Sequence, residues 1–188
     1  AAAEAGARLS THLGNGLPAL THRHRNPVWP QLAEDRLVAS FIPDLCHLPG
    51  DTLAAMIRAK GPGRFLFVSD AVSLAGEPPG TYTLFGATVE KKPDGRVCLA
   101  GTDLLAGSGT LLLESLSRAA GHGVLSLETA WEGGYSVPVR LLGGMHWTVP
   151  FSAEGRILNG ILLRRVDHGQ DGAEYAPEAV WINGCRAR

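Results

Sequence analysis

The chain has 188 residues, 45% of them hydrophobic and 19% charged, with 17 basic and 18 acidic side chains and a net charge of −1. That balance excludes a disordered chain, and without a one-signed field neither nucleic acid nor an anionic membrane is an expected partner. No apolar run approaches the ~18 residues of a membrane span. Three widely spaced cysteines, Cys46, Cys98 and Cys185, make neither a disulfide framework nor a zinc-thiolate site, and they suit a reducing cytoplasm. Glycine and proline together are about one residue in five, which disfavours long helices and leaves a loop-rich α/β or β-containing domain.

Ala1 to Gly6 reads as the last turn of a helix with Gly6 as its C-cap. With no start signal before it, the expectation is the C-terminal part of something longer. Three strand-like runs follow, Arg8–Leu13, Arg36–Ile42 and Arg64–Asp70. Two of them are almost continuously apolar, as in a parallel sheet covered on both faces. The first connection has a short helix expected at Pro30–Asp35. The second reads as a crossover helix, Thr52–Lys60, with Asp51 as N-cap and Gly61 as C-cap.

From about Gly76 the pattern changes. Tyr82–Phe85, Ala87–Lys91 and Arg96–Ala100, broken by Gly86 and Pro93-Asp94-Gly95, predict a small antiparallel meander. Ser108–Ala120 predicts a helix opened by Leu105-Ala106-Gly107-Ser108, and Ser126–Glu132 a second, short one. After Gly143-Gly144, the alternating segments Gly160–Val166 and Ala179–Asn183 predict strands of a β-sandwich, with Asn183-Gly184 as a turn. The expected division is a barrel part at 1–144, carrying the meander at about 80–100, and sandwich strands at 145–188.

In parallel α/β folds the active site is built at the C-terminal ends of strands. Those places hold His12, then Asp44 with His47, then Asp70. Each has a structural alternative: a hydrogen-bonded histidine, a Pro-Asp turn, a capping aspartate. Their equivalent positions favour metal-assisted or acid–base chemistry. His22 and His24 are flanked by Arg23 and Arg25, whose fixed charge disfavours a cation. That loop reads as a receiver of phosphate or carboxylate through Arg25, or as a solvated loop. The Leu105–Ser108 turn reads as helix capping by Ser108, or as an anion- or sugar-binding helix end. His122, His146 and His168 receive no role.

The ordered series Ser10-Thr11-His12-Leu13-Gly14-Asn15-Gly16, Asp44-x-x-His47, Val68-Ser69-Asp70-Ala71 and Leu105-Ala106-Gly107-Ser108 resembles the C-terminal half of N-acetylglucosamine-6-phosphate deacetylase, in the amidohydrolase superfamily. The resemblance is strongest from Gly6 to Arg118 and returns at Gly155–Leu163 and Trp181–Gly184. It implies an α/β fold, with the three runs as strands six to eight of a (β/α)8 TIM-type barrel, plus part of a small β-sandwich. It implies hydrolysis of the N-acetyl group of N-acetylglucosamine 6-phosphate to glucosamine 6-phosphate and acetate. His12 would be a metal ligand and Asp70 the catalytic acid–base. Asn15, Gly16, Arg25, His47, Leu105, Ala106 and Gly107 would contact substrate, with Arg23 the alternative to Arg25 because this loop is two residues longer. A divalent metal is implied, zinc ahead of iron or others, and a homodimer in the complete, cytoplasmic enzyme.

Three departures stand against it. Leu45 replaces the glycine of the family's Asp-Gly-x-His, the segment Trp131–Met145 matches poorly with Gly133-Gly134 inside it, and the remaining metal ligands belong to strands this chain does not contain. This chain alone is therefore expected to be inactive. The alternatives are an amidohydrolase for another N-acyl substrate and a non-catalytic half-barrel serving binding or assembly.

Overall fold

The computed structural model describes residues 1–18, 20–143, 159–169, 173–182 and 185–186. Strands β1 (Leu9–Ser10), β2 (Val38–Phe41) and β3 (Phe65–Phe67) form a parallel sheet in chain order, with Ser10 opposite Ala39 and Ala39 opposite Phe65. The three apolar runs were expected as strands and are, but shorter. Their flanks turn away to form the strand-end loops. Each connection carries a helix, α1 (Val28–Ala33) and α2 (Gly50–Lys60).

Helix α1 lies two residues earlier than expected, because Asn26 rather than a proline directs its start: the Asn26 Oδ1 accepts from the Val28 N–H at 2.9 Å. In α2 the cap is Pro49, and Asp51 sits inside the first turn, where its charge complements the helix N-terminus. Gly61 ends α2 at φ +75 as expected. The buried Lys60 donates from Nζ to the Gln31 and Glu34 carbonyls at 3.2 and 2.8 Å, satisfying the open C-terminal end of α1. Burial lowers the Lys60 pKa. The core beneath the sheet is Phe41, Leu53, Met56, Ile57, Phe65 and Phe67 with their neighbours.

The meander is present as β4 (Gly80–Leu84), β5 (Ala87–Lys91) and β6 (Arg96–Leu99). Phe85 and Gly86, both at positive φ, make the two-residue hairpin turn. A fourth strand joins it, β7 (Leu105–Ser108), which was expected as a helix opening. Helix α3 (Leu112–Gly121) starts later. Its Leu111 N–H is satisfied by the Glu114 carboxylate at 2.9 Å, and Ser108 caps nothing.

Helix α4 (Leu127–Trp131) begins at Ser126, whose Oγ accepts from the Thr129 N–H at 3.1 Å, as the sequence predicts. It continues through a π-helical turn (Glu132–Ser136) into α5 (Val137–Leu141). Gly133 and Gly134, which set this segment apart from the family, lie in the π-helical turn, and Gly133 packs closely against the sheet. A Cβ on Gly133 would lie 2.6 Å from the Phe67 ring and 2.8 Å from the Phe65 ring.

Strands β8 (Asn159–Asp167), β9 (Ala173–Ile182) and β10 (Cys185–Arg186) form an antiparallel sheet in the order β10-β9-β8. It packs on α3, where the Ser117 hydroxyl donates to the Tyr175 carbonyl at 2.6 Å. One antiparallel sheet is what is seen of the expected sandwich. The Asn183-Gly184 turn and His146 lie outside the described residues. No described helix is long and apolar enough to cross a membrane.

Candidate active site

All three strand ends of the parallel sheet depart from ordinary backbone geometry. His12 follows β1 at φ +23, Leu45 follows β2 at φ +61, and Asp70 follows β3 at φ +51. Left-handed conformations at non-glycine residues cost about 1–2 kcal/mol each and persist where the surroundings impose them. Three at comparable places single out this edge of the sheet as the candidate site. Neighbouring strands are about 4.8 Å apart, so the outer two strand ends are separated by about 10 Å.

His12 is held through its backbone. Ser40 on β2, itself buried, accepts the His12 N–H at 2.6 Å and donates its hydroxyl to the Ser10 carbonyl at 3.0 Å. Asn15 closes the turn, with its N–H and its Nδ2 both donating to the His12 carbonyl at 3.0 and 3.1 Å. Gly16 follows at φ +69. The His12 ring is left with a buried Nδ1 that has no hydrogen-bond partner among the described residues. An orphaned imidazole nitrogen is expensive unless something binds it.

Leu45 stands at the position that is glycine in the family's motif, and at φ +61 it adopts a left-handed conformation that favours glycine, so the leucine there carries strain. Beside it, Asp44 is 3% exposed. Its Oδ1 accepts the Cys46 and His47 N–H groups at 2.9 Å each, and its Oδ2 lies 2.7 Å from His47 Nδ1. Burial works to raise the Asp44 pKa, but the His47 ring and the two backbone donors prevail and hold it below the ordinary value. The Cys46 thiol is pushed up by burial and by the Asp44 charge.

Asp70 is exposed, and its carboxylate makes no hydrogen bond or ion pair among the described residues. Its carbonyl accepts the Ser108 N–H at 3.0 Å, and the Ser108 carbonyl accepts the Val72 N–H at 2.9 Å. This parallel bridge lays β7, and so Leu105, Ala106 and Gly107, directly beside Asp70. Gly107 at φ +103 is required twice, because a Cβ there would lie 2.4 Å from Val72. The turn expected to contact substrate is thus a strand, and its C-terminal end runs beside Asp70.

The basic loop stands apart. His22 Nδ1 accepts the His24 and Arg25 N–H groups at 3.2 and 3.0 Å, so it staples the loop and is not available as a ligand. The Trp29 indole donates to the Arg23 carbonyl at 2.8 Å. Both Arg23 and Arg25 are exposed, with guanidinium groups unengaged among the described residues.

A metal finds one fitting ligand here. His12 offers an unpartnered ring nitrogen, but among the described residues no group of three His, Cys, Asp or Glu side chains comes together to hold an ion. One histidine among the described residues is less than the three or four ligands such a centre uses. Sequence reasoning underweighted Asp44 as turn chemistry, missed Ser40, and read Ser108 as a helix cap and not as a partner of Asp44. The Asp-x-x-His spacing was the available signal for Asp44. Nothing in the local sequence marks Ser40 or ties Ser108 to Asp44.

No family model matches the chain. It is 30% identical over 184 residues to N-acetylglucosamine-6-phosphate deacetylase of Vibrio furnissii, covering 98% of this chain and 43% of that protein. It is 34% identical over 109 residues to the Bacillus subtilis (strain 168) deacetylase of the same name, covering 57% and 26%. It is 33% identical over 119 residues to N-acetylgalactosamine-6-phosphate deacetylase of Shewanella sp. (strain ANA-3), covering 63% and 28%. Among solved structures, N-acetyl-D-glucosamine-6-phosphate deacetylase from Mycobacterium smegmatis, as a mutant in complex with N-acetyl-D-glucosamine-6-phosphate, superposes with a TM-score of 0.75 at 25% identity. That match covers 98% of this chain and 46% of the other. The Thermotoga maritima enzyme superposes at 0.70 with 23% identity, covering 98% and 48%, which shows a shared fold. In sequence and in fold the chain's relatives are therefore amino-sugar-phosphate deacetylases, hydrolytic enzymes of whose length it spans less than half.

Proposed function

We propose that the chain is the C-terminal half of an amidohydrolase that hydrolyses the N-acetyl group of N-acetylglucosamine 6-phosphate, yielding glucosamine 6-phosphate and acetate. The observation that carries this is the row of His12, His47 and Asp70 at successive ends of one parallel sheet, with β7 beside Asp70. The chain-order succession of the parallel strands agrees with barrel strands six to eight, and the β8–β10 sheet with part of a small sandwich. A divalent ion, zinc first among candidates, would be held in part by His12 and otherwise by residues outside this chain; when bound it supplies an acidified water.

The chain's own groups do the rest. Asp70, on the rigid end of β3, takes a proton at its carboxylate and returns it to the departing amine. His47, oriented by Asp44, and the backbone of Leu105–Gly107 hold the sugar. Asn15 commits its backbone N–H and one Nδ2–H to the His12 carbonyl, which leaves its Oδ1, its second Nδ2–H and the Gly16 backbone to face the substrate. Arg25, or Arg23, offers a guanidinium fork to the phosphate. In the complete enzyme, a homodimer, that loop would meet the partner's substrate.

A second reading differs only in the sugar. The Shewanella relative is named for N-acetylgalactosamine 6-phosphate, so the epimeric hexosamine is the competing substrate. The test is acetate release by the full-length protein from both epimers, from unphosphorylated N-acetylglucosamine, and after chelation. Release from the gluco phosphate that chelation abolishes is expected. Preference for the galacto phosphate would move the assignment to the epimer, and no release from any of them would sink it.

A further inference from the structure

His47 lies in the loop after β2 and β7 belongs to another sheet, about 60 residues along the chain, yet one buried carboxylate ties them together. Asp44 Oδ2 contacts His47 Nδ1 at 2.7 Å and receives the Ser108 hydroxyl at 3.3 Å. The second contact is long for a hydroxyl donor and so the weaker of the two. Ser108 sits in a row of hydroxyls with Thr110 Oγ1 at 3.0 Å and Ser115 Oγ a further 3.0 Å on; when Ser108 donates to Asp44, Thr110 donates to Ser108, and the single Ser115 proton goes either to Thr110 or to the Leu111 carbonyl at 3.1 Å. Every hydroxyl in it is buried. From the other side, the Arg118 guanidinium donates to the Asp44 carbonyl at 3.2 Å. The end of β2 is thereby fastened to β7 and to α3.

We infer that Asp44 is a positioning residue that fixes His47 as its Nδ1–H tautomer, so that Nε2 is presented as a hydrogen-bond acceptor for a substrate hydroxyl or amide. An ionised carboxylate only accepts, so the ring nitrogen facing it must donate. Once Nδ1 carries the proton, the neutral ring has its lone pair on Nε2. This role goes beyond contact with the sugar and rests on the proposed function for its substrate. The tautomer itself is independent of that reading.

The substitution Asp44→Asn inverts the logic without changing shape. The side-chain oxygen must still accept the Cys46 and His47 N–H groups, which turns the amide NH2 toward His47 Nδ1. That nitrogen must then carry a lone pair, and the proton moves to Nε2. The acceptor aimed at the substrate becomes a donor.

The experiment uses full-length protein carrying 15N-histidine, with side-chain spectra at about pH 8 and the His47 signals identified by their loss in His47→Gln. The parent protein should show the Nδ1–H tautomer and Asp44→Asn the Nε2–H tautomer. With N-acetylglucosamine 6-phosphate, Asp44→Asn should raise KM roughly 10- to 100-fold with a smaller change in kcat. Ser108→Ala should keep the Nδ1–H tautomer and change KM only a few-fold. An Nε2–H tautomer in the parent overturns the inference, and this measurement decides even where the Asn variant fails to fold. An unchanged tautomer in the Asn variant, or a flipped tautomer with unchanged KM, overturns it as well. A tautomer that flips in a protein with no deacetylase activity upholds the positioning and refutes the proposed substrate.

Discussion

Gly133→Ala sets two effects of opposite sign against each other. In an ordinary helix interior, alanine is more stable than glycine by about 0.8–1 kcal/mol. Here the new Cβ would stand 2.6 Å from two carbons of the Phe67 ring and 2.8 Å from the Phe65 ring. Both rings are 2% exposed and sit on β3, so they have nowhere to move without shifting the strand. Overpacking of this kind costs about 1–3 kcal/mol. A methyl jammed between two fixed aromatic rings belongs at the upper end, so sterics win and the variant loses about 1–2 kcal/mol net. Gly134→Ala is the control, since its Cβ would meet only the terminal Cδ1 of Leu116, at 2.9 Å, and that group can rotate. Thermal and urea unfolding of the full-length protein should show Gly133→Ala less stable than the parent and Gly134→Ala close to it. A Gly133→Ala protein as stable as the parent would refute the packing argument and leave both glycines as tolerated helix residues.

At Leu45, where φ is +61, Leu45→Gly should be about 1 kcal/mol more stable than Leu45→Ala, because both lose the side chain and only glycine loses the strain; equal stabilities in urea melts would contradict the left-handed backbone. Asp70→Asn in the full-length enzyme should lower kcat by about 10²–10⁴-fold with KM and metal content little changed, and a near-normal kcat would remove Asp70 from the mechanism. Arg25→Ala should raise KM about tenfold or more while sparing kcat; an unchanged KM would transfer the phosphate role to Arg23 or end it. The Asp44 pKa is lowered from 3.8, so its contribution to stability is fully present above pH 3.8 and is lost as pH falls through the lower folded value. Asp44→Asn should flatten that acid limb, which acid titration of the two proteins would show.

The parallel strands and the meander turn were legible because their signals are local. Continuous apolar runs end in polar strand-end residues, and a Pro-Asp-Gly turn declares itself. Leu105–Ser108 was not legible. Its small residues suit a helix start, and what makes it a strand is its antiparallel pairing with β6, Leu105 opposite Cys98 and Ser108 opposite Arg96, extended at Ser108 by the bridge to Ala71 past the end of β3. The close packing of Gly133 was not legible for a similar reason. Glycine in a helical pattern signals a break unless the sequence also reveals which ring lies opposite, and Phe65 and Phe67 are on another element. Of the site, the side chains expected to touch substrate or metal could be named from their places at strand ends. The groups that hold them, Ser40 beneath His12 and Ser108 behind Asp44, carry no pattern of their own.

Strain and support go together at this site. His12, Leu45 and Asp70 each hold a positive φ, and each has a fixed neighbour that explains why it does not relax. His12 is pinned by the Ser40 hydroxyl, and the Leu45 turn by the two backbone N–H groups that Asp44 collects. Asp70 is pinned by the pairing of its carbonyl with Ser108. In all three cases the restraint falls on the backbone, leaving the His12 ring nitrogen and the Asp70 carboxylate without partners among the described residues. A purely structural turn would use those polar atoms to satisfy itself, as the His22 loop does with its own imidazole. Backbone held tightly while the reactive atoms are left open is the arrangement a catalytic edge needs, because it aims the groups without consuming them.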